Sequence, residues 1–159
     1  MRYNDLYTIE IWVDVTMKPL NDNSYRDTDA FTPAHASAAL RWFDTMRDAN
    51  EWSLTIDDQT DLLGGVKLRT FHGWKSKALA GEDIELGRDT MERLSLLLGI
   101  YKAFKILAPA NRPEVAKSWF TTSNIAKPFS GRSPKEFLLE RKSIDALYTV
   151  RRYLDAARG

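Results

Sequence analysis

The chain has 159 residues, of which 43% are hydrophobic and 11% aromatic, so it can bury a core and is not disordered throughout. It has no cysteine, which excludes disulfides and thiolate metal sites and is typical of a reducing cytoplasm. No apolar run approaches the roughly 18 residues of a membrane span, and the first residues lack the apolar core of a signal peptide. We therefore expect a cytoplasmic protein.

The charges are unevenly distributed along the chain. The net charge is +1, but the first 61 residues carry 12 acidic and five basic residues, whereas the rest carry 10 acidic and 18 basic ones. This asymmetry favours contact between the basic rear and an acidic partner. Charge balance within the chain explains it equally well.

The front of the chain contains one strand-like segment. In residues 7–16, Ile and Val alternate with Glu, Trp, Asp and Thr, and this period of two predicts a short β-strand. Residues 21–29 are polar and turn-forming, which predicts a loop. We treat residues 1–31 as an N-terminal extension.

Residues 32–108 are predicted to form a helical region. Apolar spacing and punctuating residues predict helices at 32–50, 53–65, 66–79 and 88–109, with a loop at 80–87. Thr32 is the expected cap of the first helix and Pro33 suits its first turn. Asp89 and Glu92 resemble a capping box at the start of the longest helix. The apolar face expected for that helix comprises Leu94, Leu97, Leu98, Tyr101, Phe104 and Leu107.

Residues 109–159 are predicted to form a second, smaller helical unit. Its helices are expected at 112–120, 133–142 and 143–159. Ser133 and Glu136 form a predicted capping box around Pro134, and Ser143 is the expected cap of the last helix. The fold class is therefore all-α, a helix-turn-helix-like bundle followed by a small helical domain, with a short N-terminal strand allowed.

Motifs of known enzymes are missing from the sequence. Neither a Walker A pattern nor a G-x-G-x-x-G pattern occurs, and the only two histidines, His35 and His72, are far apart. Three aspartates lie within residues 56–61, but without the alternating spacing of a calcium loop. We therefore predict no catalytic, cofactor-binding or metal-binding residues.

Residues 56–76 have the layout of a helix-turn-helix. Gly64 and Gly65 supply the turn, and Leu68, Phe71 and Trp74 are expected to face inward. From residue 62 to residue 81 there are basic residues but no acidic ones. The predicted DNA-binding residues are Lys67, Arg69, Thr70, His72, Lys75 and Lys77. A solvated basic helix face is the alternative, and the nearby aspartates would repel DNA.

The rear of the chain carries an unusual set of spaced residues. The set comprises Trp119, Asn124, Phe129, Gly131 and Pro134, and the final helix contains the run VRRYLDA. Together with the preceding RLSLLLGIYKAFKIL, this order resembles the C-terminal toxin-binding domain of Xre/MbcA/ParS-type antitoxins. Upstream, LLGGVKLRTFHGWKS resembles the Xre-like helix-turn-helix of that family. The resemblance covers residues 53–159.

This resemblance implies a type II antitoxin that binds a RES-domain toxin, an enzyme that depletes NAD, and covers its active-site entrance. It also implies autorepression of the operon by a dimer bound to operator DNA. The five spaced residues match the structural signature of the family, whereas the residues that match its toxin-facing helix are Arg151, Arg152, Tyr153, Leu154 and Asp155.

We expect inhibition by occlusion, without chemistry. The last helix ends in a small Ala156–Ala157 pair followed by Arg158 and the carboxylate of Gly159, which are narrow enough to enter a nucleotide pocket. A frayed tail is the alternative. At the level of function, the alternatives are a stand-alone helix-turn-helix regulator whose C-terminal domain serves dimerisation, or an adaptor without a DNA role.

Overall fold

The computed structural model describes residues 32–159, and this part of the chain is all-helical, as the sequence predicts. The strand predicted at residues 7–16 lies outside the described residues. The α-helices are α1 (Pro33–Thr45), α2 (Ile56–Leu62), α3 (Leu68–Leu79), α4 (Arg88–Leu107), α5 (Glu114–Ser118), α6 (Pro134–Arg141) and α7 (Ile144–Arg158). A 3-10 helix at Trp119–Thr121 follows α5. No helix of the described chain is long and apolar enough to cross a membrane.

Helix α1 begins where its cap predicts. The Thr32 hydroxyl accepts a hydrogen bond from the His35 amide, and the His35 ring accepts one from the Thr32 amide, each at 3.2 Å. Leu40, Phe43 and Met46 are buried, as their helical spacing predicts. The cap therefore fixes the start of α1, and burial of this stripe fixes its face toward the core.

Helix α4 is the central element of the fold. It is buried on all sides over its middle turns, and it packs mainly against α7 and also against α1. The capping box predicted for Asp89 and Glu92 is wrong, because the helix begins at Arg88 with Gly87 as a cap that makes no side-chain hydrogen bond. Asp89 instead accepts a hydrogen bond from Arg93 Nε at 2.9 Å.

Leu68, Phe71 and Trp74 were predicted to face inward from α3, and this prediction is wrong for Leu68. Phe71 is buried and Trp74 is partly buried, but Leu68 is 48% exposed. The polar contacts between α1 and α3 involve the later turns of α3, where the side chain of Arg41 donates to the carbonyl of Ala78 at 2.9 Å. The first turn of α3 extends beyond this contact.

The buried residues form one core across residues 32–108 and 109–159. Arg93 of α4 connects the two parts, since its Nη1 donates to the carbonyl of Lys142 at 3.3 Å. Opposite charges also meet between them: Lys142 pairs with Asp61 at 2.9 Å, and Lys135 pairs with Asp58 at 3.7 Å. Part of the charge asymmetry is therefore balanced within the chain.

Candidate functional site

The corner between the 3-10 helix and α6 closes on itself through backbone hydrogen bonds. The amide of Asn124 donates to the carbonyl of Arg132 at 3.0 Å, and its carbonyl accepts from the amide of Gly131 at 2.8 Å. The side-chain oxygen of Asn124 accepts from the amide of Ala126 at 2.9 Å. Gly131 has a φ of +93°, which disfavours any side chain there. The spaced Asn and Gly thus define the shape of this corner.

Aromatic rings attach the corner to α7. Phe129 is fully buried, with its ring centroid 5.1 Å from that of Tyr153 and 5.6 Å from that of Phe137. Trp119 lies 5.6 Å from Phe129 and 6.1 Å from Tyr153, again between ring centroids. Because Tyr153 belongs to α7, this cluster fixes the corner against the final helix.

Helix α6 begins directly after the corner. The Ser133 hydroxyl accepts from the Glu136 amide at 3.1 Å, and the Glu136 carboxylate accepts from the Ser133 amide at 2.7 Å. Hydrogen bonding of the Glu136 carboxyl to the Ser133 backbone first, and to the Ser133 side chain second, holds its pKa below the ordinary value. Pro134 occupies the first turn, so the capping box predicted from the sequence is present.

Helix α7 presents one face to the core and the other to solvent. The Ser143 hydroxyl caps it by accepting from the amide of Ala146 at 3.2 Å, and the helix continues to Arg158. Of the predicted toxin-binding residues, Arg152, Arg158 and Gly159 are exposed, whereas Tyr153 and Asp155 are partly buried. The exposed members lie on the outer face and at the end of the helix.

Arg151 was expected to contact a partner directly, but in the structure it is buried. Its side chain is 0% exposed, and its Nε donates to Asp155 Oδ1 at 3.0 Å. A Cβ atom added to Gly99 of α4 would lie 1.9 Å from Nη1 of Arg151, so only glycine leaves room for this guanidinium. Arg151 therefore sits at the interface between α7 and α4 and does not meet the rim of a partner directly.

Gly99 is a structural residue that the sequence reasoning missed. A glycine inside a helix costs about 1 kcal/mol relative to alanine, so its presence in the run LLLGIY calls for a reason. The sequence signal is the pairing of this glycine with an arginine on the apolar stripe of α7. Arg151 follows Leu147 by four residues and precedes Leu154 by three.

The outer surface of α3 carries most of the predicted DNA-binding residues. Lys67, Arg69, Thr70, His72 and Lys77 are exposed. Lys75 differs, because its ammonium group lies 2.6 Å from the carboxylate of Asp44 in α1 and its side chain is only 16% exposed. Lys75 thus connects α3 to α1, and the exposed positive charge comes from the other basic residues.

The turn before α3 is built as the paired glycines predict. Gly64 has a φ of +96° and Gly65 has a φ of +77°, a region that side chains rarely adopt. The ion pairs of Asp58 and Asp61 with lysines of the rear part reduce the negative charge beside this turn. The repulsion of phosphates expected from the aspartates is correspondingly smaller.

Within residues 32–159 no group of three potential metal ligands lies together. An apolar groove of about 240 Å³ lies between the end of α4, α5 and α7. It is lined by Phe104, Leu107, Ala108, Val115, Ala116, Trp119, Tyr153, Leu154 and Ala157. The described surface thus offers an apolar groove, beside exposed charges, to a macromolecular partner.

Comparison with known proteins confirms the resemblance to the toxin-binding domain over residues 106–159. Residues 106–159 match the family model of the antitoxin Xre/MbcA/ParS C-terminal toxin-binding domain. The chain is also 37% identical over 142 residues to the uncharacterized protein y4oB of Sinorhizobium fredii (strain NBRC 101917 / NGR234), covering 89% of this chain and 98% of that protein. No solved structure matches the chain. Residues 106–159, which include the last three α-helices, therefore form a domain of the Xre/MbcA/ParS toxin-binding family.

Proposed function

We propose that the chain is the antitoxin of a type II system and that it inhibits a RES-domain, NAD-depleting toxin by inserting the end of α7 into the entrance of its active site. One observation carries the proposal. Helix α7 is capped at Ser143, is held on α4 by buried residues and stays helical to Arg158, so its exposed end is a rigid projection. A preordered element loses little conformational entropy on docking.

The chemistry of the helix end suits a nucleotide pocket. A site that binds the pyrophosphate of NAD offers cationic groups, which would attract the carboxylate of Asp155 near the end of α7. Asp155 also pairs with Arg151 at 3.0 Å, which fixes the orientation of its carboxylate on α7. Arg152 and Arg158 are exposed and would meet acidic groups around the entrance.

Removal of residues 156–159 tests this role. This truncation keeps Asp155, whose loss would disturb the buried Arg151 and confuse inhibition with stability. We expect the truncated chain to keep its helical circular dichroism spectrum but to lose protection of cells that express the toxin. Arg112→Ala, at an exposed residue before α5, is the matched control and should protect fully. Full protection by the truncated chain would refute occlusion by the helix end.

We further propose that α3 binds operator DNA and represses the operon that encodes the chain, with the protein acting as a homodimer. The exposed cations Lys67, Arg69 and Lys77 support this role, since phosphate contacts dominate the affinity of such proteins for DNA. Thr70 and His72 lie beside them and are available for base edges. Lys75 contributes to the placement of α3 through Asp44.

The DNA role is tested separately from the toxin role. Combined alanine substitution of Lys67, Arg69 and Lys77 should abolish the gel shift of operator DNA and leave toxin binding unchanged. In partial variants, the slope of log affinity against log salt should fall by about 0.9 for each phosphate contact removed. A single Arg112→Ala variant, at an exposed residue before α5, controls for the loss of charge elsewhere. Unchanged operator affinity of the triple variant would refute the assignment of α3.

The alternative is a stand-alone regulator whose C-terminal domain serves dimerisation. In that case the triple α3 variant loses DNA binding, but the chain forms no complex with a neighbouring toxin. Co-expression with the protein encoded next to it, followed by co-purification, distinguishes the two. A stable complex that relieves toxicity favours the antitoxin role.

A further inference from the structure

The corner between the 3-10 helix and α6 exposes one large apolar side chain almost completely. Ile125 is 93% exposed, well above Leu79, the next most exposed large apolar residue of the described chain, at 56%. Single exposed apolar side chains are common on soluble proteins, so exposure alone does not identify a binding residue. The segment that carries Ile125 and its position in the fold supply the further observations.

Both neighbours of Ile125 are fixed by hydrogen bonds within the corner. The amide of Ala126 donates to the side chain of Asn124, and its carbonyl accepts from the amides of Phe129 and Ser130 at 2.8 and 3.1 Å. The backbone of Asn124 is paired on its N–H and its C=O side. Ile125 therefore projects from a backbone that is already ordered, and its burial by a partner would cost little backbone entropy.

The corner also lies beside the element proposed to enter the toxin. The buried ring of Phe129 contacts Tyr153 of α7, so Ile125 and the end of α7 belong to one rigid unit. Both lie within residues 106–159, the range that matches the toxin-binding domain. Lys127, two residues after Ile125, is exposed and adds a positive charge next to the apolar side chain.

We propose that Ile125 is an apolar anchor of the toxin interface. Its side chain enters an apolar pocket on the toxin surface, next to the entrance that receives the end of α7, and Lys127 meets an acidic group at the edge of that pocket. This inference rests on the proposed antitoxin function and adds to it a contact region distant in sequence from α7. Buried apolar anchors at the centre of an interface carry much of its binding energy.

The test compares two isoleucines of the same domain. Ile125→Ala is set against Ile106→Ala, a matched control at the end of α4 whose side chain is 51% exposed. The probe is the RES-domain protein encoded beside this chain, purified in an inactive form, with affinities measured by titration calorimetry. We expect at least a 30-fold loss of affinity for Ile125→Ala, the equivalent of about 2 kcal/mol at 1.4 kcal/mol per tenfold, and less than a threefold loss for Ile106→Ala.

Thermal unfolding checks that both variants fold, and both midpoints should match the unmodified chain because neither side chain is buried. Ile125→Asp, which places a charge at the same exposed position, should bind even more weakly than the alanine variant. Affinity of Ile125→Ala within threefold of the unmodified chain overturns the anchor, and so do equal losses in the two alanine variants. In both cases the antitoxin role survives if removal of residues 156–159 still abolishes protection. Failure of the unmodified chain to bind the toxin refutes both proposals.

Discussion

Replacement of Gly99 by alanine is expected to displace the guanidinium of Arg151. The added Cβ would lie 1.9 Å from Nη1 and 3.1 Å from Cζ, far inside van der Waals contact. Arg151 has no exposed surface, so its guanidinium cannot simply swing into solvent. The substitution must therefore shift α7 relative to α4 or break the 3.0 Å bond between Arg151 and Asp155.

The expected cost follows from these contacts. Overpacking of a core costs about 1–3 kcal/mol, and loss of a hydrogen bond between charged groups costs about 1.5–3 kcal/mol. Against these costs, alanine stabilises a helix by about 1 kcal/mol relative to glycine. By either route, we expect Gly99→Ala to lower the free energy of unfolding by about 1–2 kcal/mol, measured by urea denaturation followed by circular dichroism.

Two comparisons make this prediction specific. In an Arg151→Met background the clash is absent, so Gly99→Ala should be neutral or stabilise the protein by up to about 1 kcal/mol. Gly73→Ala in α3 is the matched control, because a Cβ there meets nothing within 4 Å and should likewise stabilise the helix by up to about 1 kcal/mol. If Gly99→Ala changes the free energy of unfolding equally in the unmodified chain and in the Arg151→Met variant, the proposed contact between α4 and α7 is wrong.

Other substitutions test the caps and the charge pairs. The pKa of Glu136 is lowered in the folded state, so its carboxylate stabilises the fold at pH values above its ordinary pKa of 4.5, and this contribution is lost as the pH falls through the lowered pKa. Glu136→Gln should therefore flatten the pH dependence of the unfolding midpoint in this range. An unchanged slope would contradict this prediction. Ser143→Ala should destabilise the fold by about 1 kcal/mol in urea denaturation, through loss of the cap of α7, and no loss would mean that the hydroxyl is dispensable. Asp61→Asn should lower the free energy of unfolding by less than about 1 kcal/mol through loss of the pair with Lys142, since such pairs are partly solvated. The difference in stability between this variant and the unmodified chain should shrink in 1 M salt. A difference that does not depend on salt would show that the pair is not its cause.

The starts of several helices could be predicted because their signals are local. Thr32, Ser133 and Ser143 each precede a helix and each accepts a hydrogen bond from a backbone amide three residues later. The prediction fails at Asp89, where a capping-box pattern is present but the helix begins at Arg88, two residues too early to use it. Within the helix, the carboxylate of Asp89 instead accepts a hydrogen bond from Arg93, one turn later.

The partners of charged residues could not be predicted from the sequence. Lys75 was expected on the surface that meets DNA, yet it pairs with Asp44, 31 positions earlier in the chain. The pairs of Lys135 and Lys142 with the aspartates of α2 likewise join residues far apart in sequence. Such contacts depend on how helices pack, which composition and periodicity do not determine.

Arg151 and Arg152 show how this limits the prediction of a binding surface. The two residues are adjacent and chemically identical, but a helix turns by about 100° between them, so one is buried against α4 and the other is exposed. Arg151 therefore acts on a partner only through the position of α7, whereas Arg152 is free to contact it directly. Substitution of Arg152, or of Ile125 at the corner, should consequently change the affinity for a partner at little cost in stability. A substitution at Arg151 or Gly99 should change stability first, and binding only as its consequence.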